Sequence, residues 1–177
     1  VPVVTTTPGT FTYDLVSVSD INSCSQPQGG SVTVTVNPLP AVFNVTGGGA
    51  YCNGGTGVAI NLSGSEAGVN YQLYRGATAV GSPVSGTGGA ISFGNQTVAG
   101  NYTVVAINAT TNCTQNMSGA VTVTINPLPA VYNVTGGGAY CSGGAGVTVG
   151  LSGSQSGVNY QLYNGATTVG SPVNGTG

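Results

Sequence analysis

The sequence predicts an all-β fold of tandem antiparallel sandwiches, and three observations predict it. These are an internal repeat, a two-residue hydrophobic period, and turn residues placed between short apolar runs. Shifted by 89 positions, 37–88 falls on 126–177 without a gap, and 41 of the 52 residue pairs are identical. The same shift brings Cys24 onto Cys113 and SVTVTVNPLP (31–40) onto AVTVTINPLP (120–129). The repeating unit is therefore about 89 residues. Three pieces are expected: 1–36 as the C-terminal part of one repeat, 37–125 as a complete repeat, and 126–177 as the N-terminal part of a third.

Seven strands are expected in the complete repeat, near 42–46, 58–62, 69–74, 78–84, 90–94, 101–107 and 119–125. The first follows the NPLP segment and stops at the glycine run TGGG, read as a wide turn. In VAINL, Val58, Ile60 and Leu62 share one face, and in VNYQLY, Val69, Tyr71 and Leu73 do the same. Arg75-Gly76 precedes the fourth strand, and its counterpart Asn164-Gly165 has the composition of a type I′ hairpin turn. The sixth strand opens on AGNYTV, and in the last Val121, Val123 and Ile125 alternate with Thr122 and Thr124. Seven short strands in a unit of this size predict a two-sheet sandwich of immunoglobulin type. No segment has the composition of a helix. Tyr102, just after Gly100, is a candidate for the corner tyrosine of such sandwiches, whose hydroxyl bonds backbone; it serves equally as an inward core aromatic. In the first piece either Phe11 or Tyr13 takes that place, depending on a two-residue slip.

Pro38 and Pro40, with their copies Pro127 and Pro129, read as linkers. Proline lacks an amide donor and fixes φ, so NPLP makes a short, semi-rigid joint instead of a central strand. Two cysteines per repeat with no histidine suit a disulfide in an oxidising compartment and not zinc. A Cys52–Cys113 bridge would close a loop of about 60 residues, worth roughly 4 kcal/mol in a chain-entropy account, leaving Cys24 and Cys141 to partners beyond these residues. Immunoglobulin strand order puts those two turns at opposite ends, so the alternative is a bridge from Cys52 to the following repeat.

The charge inventory excludes whole classes of function. The ionisable acids and bases reduce to Asp14, Asp20, Glu66 and Arg75, with no His, Lys or Trp and a net charge of −2. Such a chain has no basic field for phosphate backbones or anionic lipid, so no nucleic-acid partner is expected. No apolar run approaches the roughly 20 residues that cross a bilayer, so no membrane insertion is expected in this segment. Acid–base catalysis lacks its groups, and the many Ser and Thr have no base to activate them, so no enzyme activity is expected. The glycine-rich loops lack the lysine of a phosphate loop, carboxylates are not clustered for calcium, and lysine isopeptide links have no lysine. No cofactor is expected. Asn-X-Ser/Thr sequons stand at Asn44, Asn61, Asn95, Asn101, Asn108, Asn116, Asn133 and Asn174, in a composition that produces them by chance.

The combination of VTVNPLP or VTINPLP, YCNGG or YCSGG ahead of a strand, AGNYTVVAINATTNC and an alternating Val-Thr strand resembles a known family. It is similar to the tandem immunoglobulin-like repeats of very large Bacteroidota cell-surface proteins, exported by type IX secretion and including gliding-motility adhesins. The resemblance implies an extracellular fibre on the bacterial surface that holds an adhesive region away from the cell. The first functional expectation is therefore a structural repeat of a stiff stalk, whose partners are the neighbouring repeats. A second is a polysaccharide-binding module using the outward residues Asn70, Gln72 and Tyr74 and their copies Asn159, Gln161 and Tyr163. A third is a filament subunit that associates with copies of itself, the strands missing from 126–177 being donated by 1–36 of the next molecule.

Overall fold

Short β-branched runs punctuated by glycine form strands, and among the described residues there is no helix. The computed structural model describes residues 2, 3 and 5–177, which divide into two units, Val1–Ile125 and Asn126–Gly177. The first piece of chain holds β1 (Gly9–Asp14), β2 (Ser17–Ser19), β3 (Ser25–Pro27) and β4 (Ser31–Val36), with β1 antiparallel to β4 and β2 to β3. Tyr13 pairs with Val32 as Tyr102 pairs with Val121, so Tyr13 and not Phe11 stands at the position of Tyr102.

The complete repeat contains β5 (Val45–Gly47), β6 (Gly49–Cys52), β7 (Val58–Leu62), β8 (Val69–Arg75), β9 (Thr78–Ser85), β10 (Ile91–Gln96), β11 (Gly100–Asn108), β12 (Thr114–Asn116) and β13 (Val121–Asn126). One sheet runs β10-β7-β5; the other runs β6-β13-β11-β8-β9, with β12 also pairing on β11. Val45, Ile60, Leu62 and Ile91 from the first sheet pack with Val69, Tyr71, Leu73, Tyr102, Val104, Ala106 and Val123 from the second, and Met117 joins them. These are the inward positions of the period-two pattern. Every residue of that core is apolar or a tyrosine, which places the driving force in burial of apolar area.

Two strands were not expected, and both have a local cause. TGGG is not a turn but a crossing between sheets: β5 pairs with β7, and two residues later β6 belongs to the sheet of β13. Gly47 and Gly48 hold φ of 93° and 72°, and a Cβ on Gly47 would stand 2.2 Å from the Ala59 carbonyl oxygen. Only glycine allows the strand to change partners within that distance. The short β12 arises because β11 finds two successive partners, Thr114–Asn116 near its end and Val121–Val123 near its start.

The interruption between those partners receives the incoming chain. The Ser118 amide donates to the Phe43 carbonyl at 2.8 Å and the Val45 amide donates to the Ser118 carbonyl at 2.9 Å, around a parallel bridge from Asn44 to Ser118. Just upstream, the Ala41 amide donates to Glu66 Oε2 at 2.7 Å, and Phe43 lies so close over Gly64 that a Cβ there would meet its ring at 2.6 Å. Pro40, expected in the linker, is buried within the repeat, so the joint is shorter than the NPLP motif. The chain thus comes in beside Glu66, Gly68 and the turn after β11. It leaves through β13, whose Val123 lies opposite Gly100 at the other end of β11.

The second unit repeats the first half of this plan with β14 (Val134–Gly136), β15 (Val149–Leu151), β16 (Asn159–Asn164) and β17 (Thr167–Asn174), paired β14 with β15 and β16 with β17. Its latch is also repeated, since the Ala130 amide donates to Gln155 Oε1 at 2.9 Å and Tyr132 covers Gly153. Glu66 and Gln155 therefore do one job, which needs an acceptor and not a charge. The hairpin turn differs from expectation. Asn164 pairs with Thr167, so the two-residue loop is Gly165-Ala166 with glycine first at φ 62°, the pattern of a type II′ turn. Position 164 then needs no positive φ, which is why its counterpart is Arg75.

Two sets of variants check this account by urea denaturation. Gly47→Ala is expected to cost roughly 2–3 kcal/mol from strain plus collision with Ala59, against about 1 kcal/mol for Gly54→Ala, which shares the positive φ but meets nothing within 4 Å. Glu66→Gln is expected to be neutral, whereas Glu66→Ala leaves the Ala41 amide without its partner and costs about 1 kcal/mol.

Candidate functional site

The outer face of the larger sheet carries the residues expected to meet a ligand. β8 has one side chain in each pleat position, yet its alternation fails at Gln72, which is buried together with Tyr71 and Leu73. The register of β8 against β9 shifts between Tyr71 and Leu73. Gln72 answers that irregularity: its Nε2 lies 2.8 Å from the Leu73 carbonyl, 3.0 Å from Val80 and 3.3 Å from Gly81. Gln161 does the same with Leu162, Val169 and Gly170. The expectation that Gln72 and Gln161 face outward as sugar contacts is corrected on this ground, since their amides are consumed by backbone carbonyls that a bulge leaves unpaired.

What remains of that face is modest. Asn70 is half-buried and its Oδ1 accepts from Ser85 Oγ at 2.9 Å. Tyr74 is half-buried opposite Thr103, and in the second unit Asn159 and Tyr163 are exposed. No positive or negative group lies on β8 except Arg75 at its end.

The buried tyrosines are structural. Tyr102 is fully buried and its hydroxyl donates to the Val98 carbonyl at 2.8 Å, tying the chain before β11 to the strand itself. Tyr71, also fully buried, accepts from the Glu66 amide at 2.8 Å. Burial pushes the Tyr71 phenol above its ordinary range; the Glu66 amide opposes this, and the Glu66 carboxylate adds to it. Tyr51 hydroxyl donates to the Thr97 carbonyl.

The four thiols are free, and the geometry overturns a bridge between Cys52 and Cys113. Cys113 accepts from the Asn108 amide at the far end of β11, whereas Tyr51, beside Cys52, is bonded to Thr97 ahead of the start of β11. Nine strand residues at about 3.3 Å each separate those ends by roughly 25 Å. A disulfide tolerates about 7 Å between Cα atoms. Loop closure was the wrong guide, because the strand order puts the two turns at opposite poles. Cys24 lies in the turn between β2 and β3, and Cys141 is exposed in the loop before β15.

Among the described residues, no group of three His, Cys, Asp or Glu side chains stands together as metal ligands would. Sequence reasoning missed the Glu66 latch, although a signal was present: Glu66 and Gln155 differ in charge but share an acceptor oxygen. After alkylation without reductant and peptic digestion, Cys52 and Cys113 are expected on separate modified peptides; a pair joined through them within one chain would contradict the opposite poles.

No curated protein and no solved structure matches the chain. Residues 40–127 match the model of a family described as Ig-like domain CHU_C associated, a span that covers the complete repeat from the buried Pro40 to the end of β13. The complete repeat thus has an immunoglobulin-like fold, similar over this span to that family.

Proposed function

We propose that the chain is a non-catalytic, structural part of an extracellular stalk on a bacterial cell surface, in which each repeat of about 89 residues contributes length. The observation that carries this reading is the path of the chain through the complete repeat. It is received at one end by Glu66, Gly64 and Ser118 and released from the other through β13, a path that suits a module repeated for length. The latch that holds Ala41 recurs at Ala130, which supports a joint whose geometry is part of the repeat and not left to the linker. Near-identity of the copies supports a role in which the module itself is needed many times.

In this reading the partners are neighbouring repeats, and an adhesive region lies elsewhere in the same polypeptide. The resemblance to Bacteroidota surface proteins supports export by type IX secretion and, in a gliding species, transport of the fibre along the cell. Intact mass of the native polypeptide, on denaturing gels and by mass spectrometry, tests it. A mass many times 17.1 kDa is expected. A native polypeptide near 17.1 kDa would overturn the reading.

A further inference from the structure

Asparagine precedes glycine at three places in the chain: Asn53-Gly54, Asn164-Gly165 and Asn174-Gly175. In such a pair the glycine nitrogen can close a five-membered ring on the asparagine side chain, because no Cβ on the second residue blocks its approach. Ring closure then depends on what holds the peptide between the two residues. Asn174 ends β17 opposite Asn159, and the Gly175 amide is engaged, donating to the Val158 carbonyl at 2.8 Å. Asn164 ends β16 opposite Thr167, so the hairpin ladder fixes its backbone and the turn proper lies one residue later.

Asn53 differs from both. The Gly55 amide donates to the Cys52 carbonyl at 2.9 Å and Gly54 has φ 83°, so Cys52 to Gly55 form a type II turn with Asn53-Gly54 as its central pair. Both residues are exposed, a Cβ on Gly54 would meet nothing within 4 Å, and among the described residues the Gly54 amide has no backbone partner. The central peptide of such a turn rotates between type II and type I geometry without breaking the closing bond, since glycine in the third place accepts either sign of φ. That rotation carries the Gly54 nitrogen across the Asn53 side chain.

We propose that Asn53 is a site of self-modification, converting through a succinimide to aspartate and isoaspartate. The Gly54 amide gives its proton to solvent base and its nitrogen bonds to Asn53 Cγ, while the side-chain nitrogen leaves as ammonia. Water then opens the ring at one or the other carbonyl, and nothing is oxidised or reduced. Residues 37–125 carry only Glu66 and Arg75, whose charges cancel, so the product makes this repeat acidic. Isoaspartate also lengthens the main chain by one carbon at the end of β6. The next copy has Ser142 at this position and is exempt, so the reaction distinguishes one repeat from its near-identical neighbour. It needs nothing outside the complete repeat and is independent of the stalk reading.

Incubation of the folded chain in mildly alkaline buffer, followed by timed peptide mapping, tests it. Conversion at Asn53 is expected to run at least about tenfold faster than at Asn164 or Asn174, a ratio of the size that one retained hydrogen bond gives. An acidic species accumulates on isoelectric focusing, and enzymatic methylation of the free α-carboxyl locates isoaspartate at position 53. The rate falls in mildly acidic buffer, where the amide nitrogen keeps its proton. In urea, where no turn persists, the three sites convert at similar rates. Asn53→Ser, which copies Ser142, leaves circular dichroism unchanged and removes the acidic species. Equal conversion of the three sites in the folded chain overturns the proposal, and so does conversion at Asn164 or Asn174 ahead of Asn53.

Discussion

One constraint governs the sandwich: the stretch from Phe43 to Cys52 must serve both sheets. Its first residues bond Ser118, its middle pairs with β7, and its end belongs with β13. A strand confined to one sheet would leave the other side of the sandwich open, with the edge of either β7 or β13 unpaired. The glycines at 47 and 48 exist for that crossing. Upstream of the crossing, the incoming chain is seated in the break between β12 and β13, where Ser118 meets it.

With so few charges, the loops are secured by other means. Within the complete repeat, three tyrosines reach backbone atoms outside their own strands: Tyr51 to Thr97, Tyr71 to Glu66 and Tyr102 to Val98. Each adds apolar area and one hydrogen bond from the same side chain. Ser65 Oγ donates to Gly89 and accepts from the Thr87 amide, closing another turn without an ion pair. Such bonds are insensitive to salt, in contrast to surface ion pairs, which ions screen.

Period-two alternation made β7, β8, β11 and β13 legible, because each has one face in the core and one outside. It failed where a backbone irregularity decides the role of a side chain. Gln72 looks like an outward residue in VNYQLY, but a register shift turns its amide onto three carbonyls. TGGG looks like a turn because a sheet crossing has no hydrophobic period at all. Arg75-Gly76 and Asn164-Gly165 were legible as turns, yet the turn is one residue later, a detail that composition does not carry. The cysteines show the same limit: pairing depends on which ends of the sandwich meet, and sequence separation holds no information on that.

The way the chain is received and released also sets how the domain meets a mechanical load. Tension applied at the two ends draws Phe43 toward one pole and Asn126 toward the other, while Asn44 and Ser118 run parallel where they meet. The bonds between them, and those of β5 to β7, are pulled sideways and together, not opened one after another as in a hairpin peeled from its tip. Rupture then requires several bonds to fail at once, which raises the barrier that governs forced unfolding. The seam between the first and last strands is thereby the clasp that decides at what force a repeat gives way.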